Sequence, residues 1–210
     1  MNYIKRTDFY DIYIEPSRKT VVIRQKWKYN WVVGEEVSNW TYLEKKAWHQ
    51  KADNVIWQQW GSKFTFWSLV EKALTSNEYL HRKEFNVEFD IQWVTTNQHW
   101  TVNVAKIGPY EEVVSRVNYT SKNIYLAHID TERRIEADIN QNTLKHEFGH
   151  AIGVPDEYGK KHGNSYNPYH VDDTKALMNI GNELRYRYLR GVKKEINTMI
   201  PGVSFASFLN

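Results

Sequence analysis

His146-Glu147-Phe148-Gly149-His150-Ala151-Ile152-Gly153-Val154-Pro155-Asp156 is the stretch on which the reading of this chain turns. Two histidines four residues apart lie one turn from each other on a helix face. Their Cβ atoms are then roughly 5–6 Å apart, so both imidazoles reach one ion. Glu147 is rotated by roughly 100° from His146 on such a helix, so it reaches water at that ion without taking a coordination position. Zinc suits two imidazoles and a carboxylate, with a further position open to water. Gly153 suits the left-handed backbone that ends a helix, and Pro155 stops the helix from continuing. Together they swing Asp156 toward the ion as third ligand, with Glu157 as its competitor. The expected centre is therefore His146, His150 and Asp156 around one catalytic Zn2+, with Glu147 as general base.

Outward from this stretch, the helical pattern begins near Ile139, which predicts a helix over 138–152 capped by Asp138 or Asn140. Upstream, Val37, Trp40, Leu43, Ala47, Trp48, Ala52, Val55 and Ile56 recur at helical spacing and predict a long helix over 35–59. Ser38 is its expected cap, and Thr41 at the third helical position leaves the capping box incomplete. His49 on that helix is expected to pack or lie at the surface. The first thirty residues read as two strands, Phe9–Glu15 and Thr20–Gln25, joined at Pro16-Ser17-Arg18. Phe85, Val87, Phe89, Ile91 and Trp93 share one face of a strand, and Trp100–Ile107 reads as its neighbour. Glu112–Val117 and Asn123–Ala127 are shorter strands. A loop covers His162–Asp173, and a last helix covers 182–199 with Leu184, Tyr188, Val192 and Ile196 on one face, ended by Pro201-Gly202.

Composition narrows the classes. The 210 residues suffice for one domain with its own core. Lys plus Arg number 28 against 25 Asp plus Glu, a near balance that gives no evidence for nucleic acid, whose binders usually show a concentrated basic patch. There is no cysteine, so disulfides, thiolate zinc sites and cysteine catalysis are excluded. No stretch has the length of apolar residues that a membrane span needs, and the N-terminus lacks the apolar core of a secretory signal. The expected location is the cytoplasm, or outside it by a route that reads no signal, unless a preceding segment has been trimmed. The nine tryptophans are about twice the ordinary share; they fill the core or line a groove.

The motif His146 to Asp156 resembles the zinc signature of the metzincin metallopeptidases, H-E-x-x-H-x-x-G-x-x-H/D, in its minority aspartate form. Metzincins also carry a methionine in a tight turn beneath the metal, and Met178 in Ala176-Leu177-Met178-Asn179-Ile180-Gly181 fits by spacing. The resemblance implies an α+β fold: a twisted mixed sheet with two long helices, the second bearing the histidines, then the methionine turn and a C-terminal helix. Mapped onto this chain, it implies N-terminal strands over 1–30, an upper subdomain over 31–155 and a lower one over 156–210. The two leading strands and the broad insertion between Asp156 and Met178 depart from compact members. The strand nearest the cleft in metzincins is an edge that pairs with extended peptide; by order this is Asn123–Ala127, which makes Asn123, Tyr125 and Ala127 the expected substrate contacts.

Some metzincins place an oxyanion-holding tyrosine two residues after the turn methionine, where this chain has Ile180. Tyr158, Tyr166, Tyr169, Tyr186 and Tyr188 are the tyrosines close enough in sequence to substitute. His162, His170, Asp172 and Asp173 can contact a second ion or substrate, although no EF-hand loop is present. The expected partner is a polypeptide substrate, with no nucleic acid and no membrane, and a delivery machine or inhibitor protein would restrain an always-active peptidase. The alternatives are an amidase acting on cell-wall peptide, and a non-catalytic module whose aromatic face binds protein or glycan.

Overall fold

The computed structural model describes residues 2–71, 78–132, 134–136, 139–158 and 168–210. Alternating apolar residues open the chain as three strands rather than the two expected: β1 (Tyr3–Arg6), β2 (Asp11–Glu15) and β3 (Thr20–Val33). β3 is the spine. Val21, Ile23, Gln25 and Trp27 point inward along it, and Trp27 pairs with Trp93 on one flank and Trp100 on the other.

Helix α1 (Tyr42–Trp60) follows, then β4 (Phe64–Val70), β5 (Glu84–Trp93), β6 (Trp100–Lys106), β7 (Arg116–Asn118) and β8 (Asn123–Ala127). A two-stranded ribbon, β9 (Arg134–Glu136) with β10 (Ile139–Gln141), leads into helix α2 (Thr143–Ala151). A 3-10 turn over Tyr186–Leu189, helix α3 (Arg190–Ile196) and β11 (Val203–Leu209) complete the order. The main sheet runs β11-β4-β5-β3-β6-β8-β7, with β1 and β2 attached to one flank of β3. β3, β5, β6 and β8 are parallel, whereas β4, β7 and β11 run against their neighbours. This is a mixed sheet with segregated helices, an α+β architecture.

Several boundaries depart from the sequence reading, each for a local reason. α1 starts at Tyr42 because Thr41 and Glu44 form a full capping box, and Ser38 instead takes a hydrogen bond from Lys106 Nζ at 2.9 Å. α2 is shorter than expected because Ile139–Gln141 pairs as strand and Asn142 caps the helix, its side chain accepting from the Lys145 N–H at 3.2 Å. Asp138, one of the caps expected there, lies outside the described residues. The last helix is confined to α3 because the chain before it bridges back, with the Leu177 N–H donating to the Glu183 carbonyl at 2.8 Å. Its expected inward residues, Leu184, Tyr188, Val192 and Ile196, are all buried. β5 and β6 are not neighbours; β3 runs between them. The sequence reading did not anticipate β4 or β11.

One core holds these parts together. Trp48, Ala52, Ile56 and Trp60, four residues apart along α1, turn inward. With Val87, Phe89, Val102, Ile124, Leu144 and Phe148 they form a continuous buried cluster. Trp60 meets Phe148 of α2 at 5.7 Å and Phe89 of β5 at 5.8 Å, both edge to face. Truncating either large ring to alanine would cost about 3–5 kcal/mol and loosen the helix that carries the histidines. His49 packs, as expected, its Nδ1 2.8 Å from the Tyr29 hydroxyl. Among the described residues no helix is long and apolar enough to cross a membrane.

Candidate metal centre

α2 ends in a Schellman motif. The Val154 N–H donates to the Gly149 carbonyl at 3.0 Å and the Gly153 N–H to the His150 carbonyl at 2.7 Å, with Gly153 at φ +94°. A side chain at Gly153 would be strained in that backbone. The reversal carries Pro155 and Asp156 back over the helix. Asp156 Oδ1 arrives 3.2 Å from His146 Nε2 and 3.1 Å from His150 Nε2, and those two nitrogens are themselves 3.1 Å apart. His146 and Asp156 are buried, and His150 is partly buried at the wall of a cleft.

The other ring nitrogens decide what this convergence means. His146 Nδ1 lies 2.9 Å from the Leu177 carbonyl, and His150 Nδ1 lies 2.8 Å from the Val154 carbonyl. A carbonyl only accepts, so each Nδ1 must carry the proton. In the neutral imidazole each Nε2 then presents a lone pair, and two lone pairs meet a carboxylate oxygen at hydrogen-bond distance. Such a set is complementary to a cation, and the carbonyl partners orient the rings as outer-shell acceptors do in metal sites.

Glu157 is turned away from the centre. Its carboxylate receives Arg187 Nε at 2.6 Å and Nη2 at 2.7 Å, and the Tyr188 hydroxyl at 3.1 Å. That ion pair fixes the chain just after Asp156, reinforced by the Glu157 N–H donating to the Met178 carbonyl at 2.8 Å. Met178 is fully buried beneath α2, and its sulfur occupies the space a Cβ at Gly149 would need. Gly149 thus sits mid-helix, where glycine costs about 1 kcal/mol, because the methionine packs against bare backbone. Gln25 of β3 ties the end of α2 to the sheet: its amide donates to the Ala151 carbonyl at 2.8 Å while its oxygen accepts from Trp27 Nε1 at 2.9 Å.

Glu147 is 6 % exposed. Burial above all pushes its carboxyl up to about 7, helped by Asp156 and Asp130 and opposed by His146 and Arg116. Its Oε2 has no hydrogen-bond partner among the described residues. An orphaned buried carboxylate oxygen at a polar cluster is the form a proton-transfer group takes. Beside it opens a cleft of about 300 Å³ whose wall includes Arg116, Tyr119, His150 and Tyr158. Tyr158 stacks on His146 at 5.9 Å, and burial and the Asp156 charge raise its phenol. Tyr119 donates its hydroxyl to the His150 carbonyl.

The remaining expected residues fall elsewhere. β8 is not an edge strand: β7 covers it, with Arg116 opposite Tyr125 and Asn118 opposite Asn123. Asn123 and Tyr125 therefore lie inside the sheet, and Ala127 is fully buried; the free edge belongs to β7. Tyr188 is buried below Met178, whose N–H it meets at 3.2 Å. Tyr169 and Tyr186 are exposed. Asp173 is bound by Arg185 and Arg187. His162 and Tyr166 lie outside the described residues. Arg116, Tyr119 and Gln25 were not singled out from sequence; only Gln25 left a signal, as a polar residue at an inward position between Ile23 and Trp27. Compared with known proteins, the chain matches no protein-family model and no curated protein sequence.

Proposed function

We propose that this chain is a zinc-dependent endopeptidase of the metzincin type. The observation that carries the reading is the meeting of two Nε2 lone pairs and Asp156 Oδ1, imposed by the carbonyls that hold each Nδ1 proton. The Gly153 reversal, Met178 beneath α2 and the antiparallel edge strand β7 support the metzincin assignment. His146, His150 and Asp156 would hold the ion. Zinc held there supplies a Lewis acid for the scissile carbonyl and brings the pKa of water down to about 7.

Glu147 then removes a proton from the attacking water at Oε2, the atom without a partner, and returns it to the departing amine nitrogen. The C–O bond forms first, placing charge on the carbonyl oxygen, and the C–N bond breaks once the nitrogen has taken the proton, so the net reaction is addition of one water. Tyr158, against His146, is assigned to the carbonyl oxygen as it gains charge. Tyr119 holds the His150 carbonyl and so the turn on which Asp156 depends. The open edge of β7 receives the substrate as an added strand, with backbone pairing for affinity and side-chain positions for selectivity.

Protein purified without chelator should contain one zinc per chain. Glu147→Gln should retain that zinc and lose activity by about 10²–10⁴-fold, whereas His150→Ala should lose both. A proteome digested by the wild type and by Glu147→Gln, compared by mass spectrometry, should show new termini only with the former. Bound zinc without new termini would overturn the peptidase reading in favour of a different amide.

A further inference from the structure

Arg116 stands in the wall of the cleft with Glu147 and His150, on the outermost strand of the sheet. Its guanidinium lies over the Tyr125 ring at 4.1 Å, and Nη1 donates to the Val114 carbonyl at 3.1 Å. These contacts hold the side chain in place and use only part of its donor capacity, since arginine has five N–H groups in a planar fork. Among the described residues no carboxylate pairs with it. Arg24, Arg185 and Arg187 are paired with Asp90, Asp173 and Glu157, whereas Arg6, Arg82 and Arg190 also lack an ion pair among the described residues but do not line this cleft.

The acids nearest the cleft are committed to other work. Asp156 faces both histidines, and Glu147 feels the Arg116 charge but is buried and makes no ion pair with the exposed guanidinium. A peptide strand added to β7 projects alternate side chains onto the sheet face that Arg116 occupies. Across paired strands opposite charges attract and like charges repel, and the guanidinium fork accepts a carboxylate through two parallel hydrogen bonds. We infer that Arg116 is a specificity-determining residue that selects an aspartate or glutamate side chain close to the scissile bond of a polypeptide substrate. The inference rests on the peptidase reading above for the identity of the ligand.

The test uses the full zinc-loaded chain and matched peptides that differ only in carrying Glu, Gln or Lys at each position around a cleaved bond. At one position kcat/KM should fall in the order Glu, Gln, Lys, with about tenfold between the extremes, and Arg116→Glu should reverse that order. Raising the salt concentration should compress it. Equal rates at every position, or an Arg116→Glu variant that slows all peptides alike, would overturn the inference and leave Arg116 a general electrostatic or structural role. Binding of the same fluorescent peptides to Glu147→Gln, read by anisotropy, separates the two levels of argument. Charge-ranked binding that Arg116→Glu inverts, with no cleavage by the wild type, sinks the peptidase and keeps the charge selection. Binding without charge ranking sinks the selection.

Discussion

Two buried clusters in this molecule pair a histidine with an aspartate at the same distance, 3.2 Å for His99 with Asp11 and 3.2 Å for His146 with Asp156. Their chemistry is opposite. His99 Nδ1 accepts the Lys26 backbone N–H at 2.9 Å, so its proton sits on Nε2 and is donated to Asp11. Lys26 Nζ closes the network on Asp11 at 2.6 Å, with the Tyr13 hydroxyl at 3.2 Å. Every charge there has its partner within the chain. At His146 and His150 the Nδ1 protons are spent on carbonyls, and the lone pairs converge. The partner of the far nitrogen, and not the His–Asp distance, separates a structural ion pair from a donor set open to a cation.

The largest effect that would break the contrast is on metal content. Asp156→Ala should lower zinc affinity by about a thousandfold or more, one ligand's share of a typical site, while Asp11→Ala leaves the stoichiometry of the folded protein unchanged. Zinc analysis after dialysis checks both, with Glu157→Ala as control. If Glu157→Ala lost the metal and Asp156→Ala kept it, the assigned donor set would be wrong. Next in size is stability. Asp11→Ala strands Lys26 in a mostly buried position and should cost about 3–5 kcal/mol in denaturant unfolding.

Gly149→Ala drives a methyl group into Met178 and should cost about 1–3 kcal/mol; combining it with Met178→Ala should recover part of that loss, as expected for residues in contact. The smallest effect is a pH slope. Burial holds the His99 imidazole below its ordinary pKa despite the Asp11 charge. For Asp11 burial acts upward, but the hydrogen bond from Lys26 and the nearby positive charge bring it below the ordinary carboxylate value. Both groups therefore stabilise the fold above their unfolded pKa values, and that stability is lost on acidification. The loss begins below about pH 6.5 for His99 and below about pH 3.9 for Asp11. Unfolding curves of His99→Gln should be flatter than wild type over the upper part of this range; an unchanged slope would remove His99 from the account.

What could be read in advance follows the reach of each interaction. The bend that brings Asp156 to the histidines is local, and Gly153 and Pro155 carry it in their own backbone preferences. The β5 core was visible because Phe85, Val87, Phe89 and Ile91 alternate within the strand, whereas β3 runs on to Val33, beyond the Gln25 end expected for it. The cleft wall was not visible, because which strand lies outermost depends on how distant segments order themselves in the sheet. Asn123–Ala127 looked like the edge only until three residues, Arg116–Asn118, paired over it. β11 escaped for the same reason, since it is held by residues 64–70 from the far end of the chain. The expected α1 start lies seven residues too early and its expected cap three, because two hydroxyl residues, Ser38 and Thr41, compete for the cap and only the second has a glutamate to complete the box.

The Schellman turn also bears on the order of folding. All three proposed donors fall within residues 146–156, so the loop they would close is short and its entropy cost small. The Asp11–His99 pair, by contrast, joins residues 88 apart and waits for the sheet. If the proposed site takes up its ion, one helical turn and its reversal would suffice to capture it while the strands are still unpaired, giving the chain a local nucleus in a topology otherwise rich in slow, long-range pairing. Refolding started by dilution from denaturant should then be faster with zinc present from the outset than with zinc added after the tertiary fluorescence signal has returned; equal refolding rates would place metal capture after the sheet.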